Sequence, residues 1–418
     1  MTGDRKRDRD RLRPIVDRYL AVADDPRQEA RKRLWADHYA MRPVPATPFS
    51  VYFEGMSSTA WSDALGPDPL TTSTTVARAL EDQLVKRLWM DEHVDDDAPK
   101  WRSVIVSCPV KEDSGWGVPI TYDSPAERDG ARKPVPPFAD GIDLARLHRR
   151  TLIPDIDAGE LRRSEAIDLV EGRLTVHLRF PFLPPSTFDT LVLLRGMDRL
   201  FMDVFDRPGE IHAMSAVVAD SVIDNVRMRE TEGWLNVFPE DDGRYRRGPH
   251  RVRAFYPTGD APCFADEWPY FSDQTSAGLG PEQFNAFVLP SHQRMAALCT
   301  RPTVYFHGCE CLDQKMFGIM RIPSLKHFHV SPYTDLDHAI EHLRDDLIIE
   351  AHCHPGNTFF GFTDEQVEAD VRDRMRKLAV RQCDLHLSDI HAINGRPERL
   401  THWARCCRRF AGKAGPSA

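Results

Sequence analysis

Residues 304–313 read Val-Tyr-Phe-His-Gly-Cys-Glu-Cys-Leu-Asp, and they begin the part of the chain that decides the fold. Three apolar, β-forming residues lead directly into His307, Gly308 and Cys309. This pattern predicts a buried strand that ends in a loop bearing an imidazole, two thiols and a carboxylate. Imidazole nitrogen and thiolate sulfur are the ligands that suit zinc. The sequence therefore favours a metal-binding loop at a strand end.

Strands and helices alternate regularly from this loop to the C-terminal end of the chain. The predicted strands are residues 303–306, 327–330, 347–351 and 384–387, and the predicted helices are residues 312–320, 335–343, a helix beginning at Thr363, and residues 397–410. Thr363 and Gln366 have the spacing of a capping box. Such alternation indicates βαβ units and a parallel sheet. With several earlier strands, it favours an α/β fold of the eight-stranded (β/α)8 TIM barrel type over an open sheet.

Upstream of residue 300 the elements are less regular. Strands are predicted at residues 49–53, 103–110, 174–180 and 190–194, and helices at residues 8–40, 76–89 and 198–227. An acidic run at residues 91–97 marks a boundary. We expect an N-terminal helical extension, residues 1–95, packed on a barrel domain of residues 96–418.

Composition narrows the classes of partner. The chain has 418 residues and a net charge of −9, which argues against nucleic-acid binding. No apolar stretch approaches the roughly 20 residues that span a bilayer, and the N-terminus lacks the apolar core of a secretory signal. We therefore expect a cytoplasmic protein with a small-molecule substrate and no membrane partner. The oligomeric state stays open, with a homodimer as one option.

Residues able to bind metal are concentrated near the C-terminus. Ten of the 17 histidines and six of the nine cysteines follow residue 306. Because the carboxyl ends of parallel strands lie on one face of a barrel, residues at those ends are predicted to meet. These residues are His307 and Cys309, His352 and Cys353, Asp389 and His391, and Tyr333 and Asp335 after the strand at 327–330. Each has a simpler interpretation, since cysteines often only pack, and histidines and aspartates often only bond to backbone.

A family resemblance adds to this pattern. It is carried by Asp273-Gln274, residues 281–284, the HGCECLD segment, and residues 322–325, 331–335 and 383–403, with residues 195–197 and 206–208 in support. Together they resemble the uroporphyrinogen decarboxylase-like superfamily. The closer similarity is to its methyltransferase-type branch, which includes zinc-dependent corrinoid:coenzyme M methyltransferases. The resemblance implies a (β/α)8 barrel, and a zinc ion held by a His-x-Cys pair and a later cysteine.

His307 and Cys309 match the pair that the resemblance implies. The remaining ligand is open, because Cys383 is predicted to precede its strand, on the wrong side of the barrel. Asp389 lies nearer the expected strand end, and Cys353 or His352 is a further alternative in a loop where relatives carry a Lys-Pro pair.

The resemblance implies methyl or alkyl transfer between a small methylated substrate or methyl-corrinoid and a thiol or corrinoid acceptor, with the corrinoid carried by a partner protein. Glu310, Asp389 and His391 are the candidate catalytic groups. Tyr333, Asp335 and Glu54 are the candidate substrate-binding groups. The alternative is a metal-free decarboxylase or lyase, although the segment after the first strand, residues 54–58, has no arginine to bind a polycarboxylate. A third option is a barrel without catalytic activity, in which the cysteines pack or bind a structural metal.

Overall fold

The computed structural model describes residues 3–52, 56–123, 132–238 and 261–412. The α-helices are α1 (Gly3–Ala23), α2 (Arg27–Tyr39), α3 (Ser58–Leu65), α4 (Thr75–His93), α5 (Ile156–Leu169), α6 (Thr187–Arg195), α7 (Met197–Asp206), α8 (Pro208–Glu232), α9 (Pro281–Phe287), α10 (Leu289–Ala296), α11 (Met316–Ile319), α12 (Leu336–His342), α13 (Asp364–Leu378) and α14 (Glu398–Phe410). The strands are β1 (Phe49–Val51), β2 (Ser103–Ser107), β3 (Val110–Asp113), β4 (Thr121–Asp123), β5 (Lys133–Val135), β6 (Leu152–Pro154), β7 (Thr175–Arg179), β8 (Tyr270–Phe271), β9 (Val304–Phe306), β10 (Leu325–Val330), β11 (Ile348–Cys353) and β12 (Cys383–Leu387).

The main sheet has six strands in the order β1-β12-β11-β10-β9-β8, and every neighbouring pair is parallel. A second parallel pair joins β2 to β7, and two small antiparallel pairs join β3 to β6 and β4 to β5. The protein is thus a mixed α/β fold with a parallel sheet and many helices, as the alternation of predicted strands and helices indicated.

The four predicted C-terminal strands are confirmed within two residues at each end. The predicted capping box is confirmed as well: Thr363 accepts from the Gln366 amide, and the Gln366 side chain accepts from the Thr363 amide. These two hydrogen bonds satisfy two backbone amides at the start of α13 that have no partner within the helix.

The strand predicted at residues 190–194 is wrong, because these residues lie in α6. Phe188, Leu191 and Leu194 are all fully buried, and their spacing of three residues places them on one face of a helix. A short apolar run fits either a strand or a helix by periodicity alone, and here the packing selects the helix.

The first 95 residues contain more than the expected helical extension. β1 pairs with β12 through the register Phe49 to Leu385 and Val51 to Leu387, so one strand of the main sheet comes from this segment. The helix α2 packs against the sheet through the fully buried Trp35 and Tyr39. Within the described residues, no helix has both the length and the apolar character that crossing a membrane requires.

The two faces of the main sheet differ in polarity. The face that packs against the helices carries apolar residues such as Phe306, Phe328 and Leu385, which belong to the largest core cluster. The opposite face, called the inner face below, carries polar side chains at alternate positions of four strands, all of them buried: Tyr305, His307, His327, His329, Glu350, His352, Asp384 and His386. This inner face positions the candidate site.

Candidate active site

The predicted His307–Cys309 pair lies together at the end of β9. His307 is fully buried, Cys309 is partly exposed, and their Nε2 and Sγ atoms are 3.0 Å apart. Gly308 between them permits a tight turn, since a Cβ there would come within 2.9 Å of the Glu310 Oε2 atom. The geometry therefore presents one nitrogen and one sulfur to the same point.

Hydrogen bonding selects the ring nitrogen that His307 presents. The Tyr305 hydroxyl donates its hydrogen to Glu350 Oε1 at 2.5 Å, so it accepts from His307 Nδ1 at 2.8 Å. With the proton on Nδ1, the Nε2 atom carries a lone pair aimed at the sulfur. A hydrogen bond from the other ring nitrogen orients an imidazole and raises its basicity as a metal ligand.

His329 lies beside His307, and the strand-end argument missed it. Its Nδ1 atom lies 2.6 Å from the carbonyl oxygen of Gly308, to which it donates, so Nε2 is the ring nitrogen with the lone pair. The rings of His307 and His329 are 4.0 Å apart. One potential ligand atom from each of His307, His329 and Glu350 lies within 4.8 Å of the others. The signal was present in the sequence, since His327 and His329 alternate along β10.

Two further groups contact the Cys309 sulfur. The Gln274 side-chain amide donates to Sγ at 3.0 Å, and Asp389 Oδ2 lies 3.7 Å from it. Asp389 adopts a left-handed backbone conformation, with φ of +55°, which is uncommon outside glycine and often found at functional sites. The sulfur therefore accepts from the Gln274 amide, and its thiol hydrogen faces the Asp389 carboxylate.

His352, predicted as a metal ligand, lies on the inner face, but other groups bond to both of its nitrogens. Nε2 is 2.9 Å from Glu350 Oε1, and Nδ1 is 2.9 Å from the Ser388 hydroxyl. Burial lowers the pKa of His352, although the contact with Glu350 acts to raise it. The Ser388 hydroxyl also lies 3.4 Å from Asp389 Oδ2. A continuous hydrogen-bonded path therefore runs from Asp389 through Ser388 to His352.

Cys353 does not join this cluster. Side chains alternate along β11, so when Glu350 and His352 occupy the inner face, Cys353 faces the helices. There it lies near Arg374 and Trp403, and burial raises the pKa of its thiol to about 12. The thiol is therefore neutral at neutral pH, and although Cys353 is among the residues that line the cavity beside Cys309, its side chain lies on the opposite face of β11 from Glu350 and His352.

Glu310 lies beside Gly308, with its carboxylate 3.9 Å from Lys315 Nζ. Burial raises the pKa of Glu310 to about 7. Within the described structure, its Oε2 atom is buried without a hydrogen-bond partner. The carboxylate is thus placed next to the Cys309 loop, and it is close to half protonated at neutral pH.

A cavity of about 640 Å³ opens onto Cys309, His329 and Asp389. Tyr333 and His391 are exposed residues in its lining, and the Tyr333 hydroxyl lies 3.2 Å from His354 Nε2. None of the described residues that line this cavity is a lysine or an arginine. The cavity is therefore large enough for a small molecule, and its described lining offers histidines but no lysine or arginine to bind a polyanion.

Two predicted substrate-binding residues are not placed in the cavity lining. Asp335 is the N-cap of α12, where its carboxylate accepts from the amides of Asp337 and His338. Glu54 lies outside the described residues.

A second polar group lies deeper on the inner face, centred on Asp384. Its Oδ2 atom is 2.6 Å from His38 Nε2 and 3.2 Å from His327 Nε2, and its Oδ1 atom is 2.7 Å from His386 Nε2. Burial acts to raise the pKa of Asp384, but the adjacent charges of His327 and His386 outweigh it and hold that pKa well below its ordinary value. Cys383, the first residue of β12, lies at the opposite end of this strand from Asp389.

Comparisons with known proteins place the fold. No family model matches the chain, and no curated protein sequence matches it. Among solved structures, the chain is similar to a methyltransferase from Methanosarcina mazei, with a TM-score of 0.52 and 11% sequence identity. The match covers 91% of this chain and 98% of that chain. The chain thus has a fold similar to that of this methyltransferase along nearly its whole length.

Proposed function

We propose that this protein is a zinc-dependent methyltransferase. It would move a methyl or other alkyl group between a small methylated substrate or methyl-corrinoid and a thiol or corrinoid acceptor. The observation that carries the proposal is the pairing of His307 Nε2 with Cys309 Sγ at 3.0 Å at a cavity mouth. The similarity in fold to a methyltransferase supports the same reaction class. The earlier resemblance points in the same direction.

The proposed architecture is a closed (β/α)8 barrel. The parallel sheets contain six and two strands, which together make the number that such a barrel needs. The backbone amide of Asp97 donates to the Phe49 carbonyl oxygen at 3.0 Å, and so the segment leading to β2 adjoins β1. In a closed barrel the cavity would lie at the carboxyl ends of the strands, where barrel enzymes place their active sites.

The donor atoms of His307, His329 and Glu350 lie close enough together for one zinc ion, and the Cys309 sulfur lies 3.0 Å from His307 Nε2. His307 and His329 each use Nδ1 as a donor to oxygen, which leaves both Nε2 atoms as ligands, and Cys309 adds a thiolate. Imidazole and thiolate are both usual zinc ligands, and catalytic zinc takes three protein ligands with a fourth position left for substrate. We assign the third protein ligand to His329 in place of Cys353 or His352. Bound there, zinc would favour the thiolate form of an acceptor thiol.

The chain's own residues would then handle the proton. Asp389 Oδ2, 3.7 Å from Cys309 Sγ, is positioned to take the proton that an acceptor thiol loses. The Ser388 hydroxyl would pass it on to Nδ1 of His352. Gln274 would hold the Cys309 sulfur in place through its amide. His391 and Tyr333, at the cavity lining, are left to orient the substrate.

The cavity lining favours transfer over the metal-free lyase. Decarboxylation of a polycarboxylate needs cationic side chains to bind the substrate, and the described lining has none. The lining is instead aromatic and histidine-rich, with Tyr333, His354 and Phe360. It suits a small neutral or cationic methylated compound. We propose that a methyl-corrinoid is presented at the mouth by a separate protein.

The test is metal content combined with a methyl-transfer assay. His307→Ala and Cys309→Ser should each lower bound zinc by about one equivalent and abolish transfer, while circular dichroism shows a folded chain. The matched control is Cys311→Ser, because Cys311 is two residues away but exposed, with its thiol bonded to Asp313 at 3.1 Å. Cys311→Ser should keep both zinc and activity. Retention of the full zinc content in both His307→Ala and Cys309→Ser would reject these ligands.

A further inference from the structure

The inner face of the main sheet is unusual in what it buries. Strands covered on both sides normally carry branched apolar residues on each face. Here the inner face of β11 and β12 carries Glu350, His352, Asp384 and His386, each at most 2% exposed. Two carboxylates buried this deeply require positive charge beside them. The zinc ligands proposed above include neither Asp384 nor its neighbour His327.

Two groups of potential metal ligands lie on this face, and they share one residue. The first comprises His307, His329 and Glu350, and the second comprises His327, Glu350 and Asp384. In each group, one ligand atom per residue lies within 4.8 Å of the others. Glu350 faces the first group with Oε1, which bonds to Tyr305, and faces His327 with Oε2 at 3.6 Å. A carboxylate with one oxygen toward each group has the arrangement of a bridging ligand.

The surroundings of Asp384 orient it as a ligand. His38 Nε2 lies 2.6 Å from Asp384 Oδ2, and the Gln382 side-chain amide, which donates to the His38 carbonyl oxygen, lies 3.1 Å from His38 Nδ1 and holds the ring in place. His327 Nε2 and His386 Nε2 lie 3.2 Å and 2.7 Å from the Asp384 carboxylate oxygens, so His38 adds a further contact that fixes the orientation of this carboxylate. Outer-shell contacts of this kind are typical around metal-bound carboxylates. A divalent cation between Asp384 and Glu350 would lie among ligand atoms of His327, Glu350 and Asp384 that are within 4.8 Å of one another.

We propose that the inner face holds a second divalent metal ion, bound by His327, Asp384 and Glu350, and that Glu350 bridges it to the ion at His307, Cys309 and His329. The deeper site stands independently of the proposed function, and only the bridge depends on it. One imidazole and two carboxylates suit Zn²⁺, Fe²⁺ or Mn²⁺. The deeper ion would support the Glu350–Tyr305–His307 chain of hydrogen bonds and so set the basicity of the upper ligand.

The test counts metal ions and measures how fast each one leaves. The intact protein, reconstituted with Zn²⁺ and desalted, should contain two equivalents. Asp384→Asn, which keeps the shape of the side chain and removes its charge, should contain one, and so should Cys309→Ser. Chelation should remove the two ions in separate phases, because Cys309 and His329 line the cavity whereas His327 and Asp384 do not. The slow phase should be missing in Asp384→Asn, and the fast phase in Cys309→Ser.

His327→Gln is the second variant, in case Asp384→Asn does not fold, and it should also lack the slow phase. A metal content that every folded variant of the deep site retains, whether one equivalent or two, would overturn the proposal and leave a hydrogen-bonded network without a metal ion. If the intact protein loses its only ion in Asp384→Asn but keeps it in Cys309→Ser, the deep site exists and the proposed zinc site does not. The two failures are therefore distinguishable.

Discussion

Tyr305 has a clear role at the scale of single residues. Its hydroxyl connects His307 Nδ1 at 2.8 Å to Glu350 Oε1 at 2.5 Å, and thereby fixes the tautomer of His307. Both partners are fully buried, so neither can exchange this contact for water. The ring itself packs in the sheet and does not depend on the hydroxyl. Tyr305→Phe therefore removes one interaction and keeps the shape of the side chain.

We expect Tyr305→Phe to weaken metal binding by about 10- to 100-fold, the usual effect of losing an outer-shell partner. The loss should also lower the free energy of unfolding by about 1–3 kcal/mol, because two buried polar groups lose a partner. Competition with a chromophoric chelator measures the affinity, and thermal melting confirms the fold. The control is Tyr333→Phe, since Tyr333 is 62% exposed and bonds to His354 at the cavity. Equal zinc affinities in Tyr305→Phe and the natural chain would contradict this role.

The sequence predicted part of the site at this scale, and alternation explains the rest. His307 and Cys309 follow a strong strand signal, so their meeting was predictable. His352 and Cys353 were equivalent in the sequence, but successive residues of a strand face opposite sides, and the register decides which one points inward. His329 lies inside its strand and not at its end. An argument limited to strand ends therefore had to miss it.

At the scale of elements, Asp335 is the residue that caps the N-terminus of α12. It was a candidate substrate-binding group, and its carboxylate in fact accepts from two amides in the first turn of α12, at 2.9 Å and 3.2 Å. These amides have no partner within the helix, so the cap stabilises its start. The carboxylate is exposed and is directed at the backbone of its own helix.

We expect Asp335→Ala to lower the free energy of unfolding by about 1 kcal/mol, with little change in the KM for the methyl donor. Asp335→Ser should recover most of the lost stability, because serine also caps helices well. Urea unfolding and steady-state kinetics check the two parts of the prediction. A large rise in KM in both variants, with unchanged stability, would show instead that Asp335 binds substrate.

Elements differ in how far the sequence determines them. α13 was predictable because its capping box lies within four residues, Thr363 to Gln366. α6 was not, because residues 190–194 suit either type of element until Phe188 and Leu191 are buried together. Local hydrogen-bonding signals thus predicted this helix start correctly, whereas short apolar runs depended on packing between distant parts of the chain.

At the scale of the whole molecule, the N-terminal part of the chain packs against the C-terminal part and contributes to the main sheet. β1 pairs with β12 across more than 330 residues, and His38 of α2 bonds to Asp384 at 2.6 Å. Trp35 and Tyr39 cover the same end of the inner face, where Ile348 is also buried. The periodicity of a short segment does not show which distant strand it pairs with. This is why the sequence suggested an extension at residues 1–95, although the segment includes part of the sheet.

We therefore predict that a chain shortened to residues 96–418 does not fold by itself. It would lose β1. It would also lose Trp35 and Tyr39, which exposes the part of the inner face that they cover, and Asp384 would lose its contact with His38. Losing a hydrogen bond to a buried carboxylate costs about 1.5–3 kcal/mol, and each large apolar side chain about 1.5–3 kcal/mol more. Those losses together match the total stability of a typical domain, about 5–15 kcal/mol.

Circular dichroism and thermal melting of the shortened chain test this prediction, with production of residues 1–95 as a separate fragment in the same cells as the control. The fragment should associate with residues 96–418 and restore a cooperative melt, since the missing contacts are all non-covalent. It should also restore metal binding, because β1 and α2 complete the surroundings of Asp384 and His386 through His38 and Ser50. A cooperative melt of residues 96–418 alone, close to that of the intact chain, would show that residues 96–418 fold without the first 95 residues.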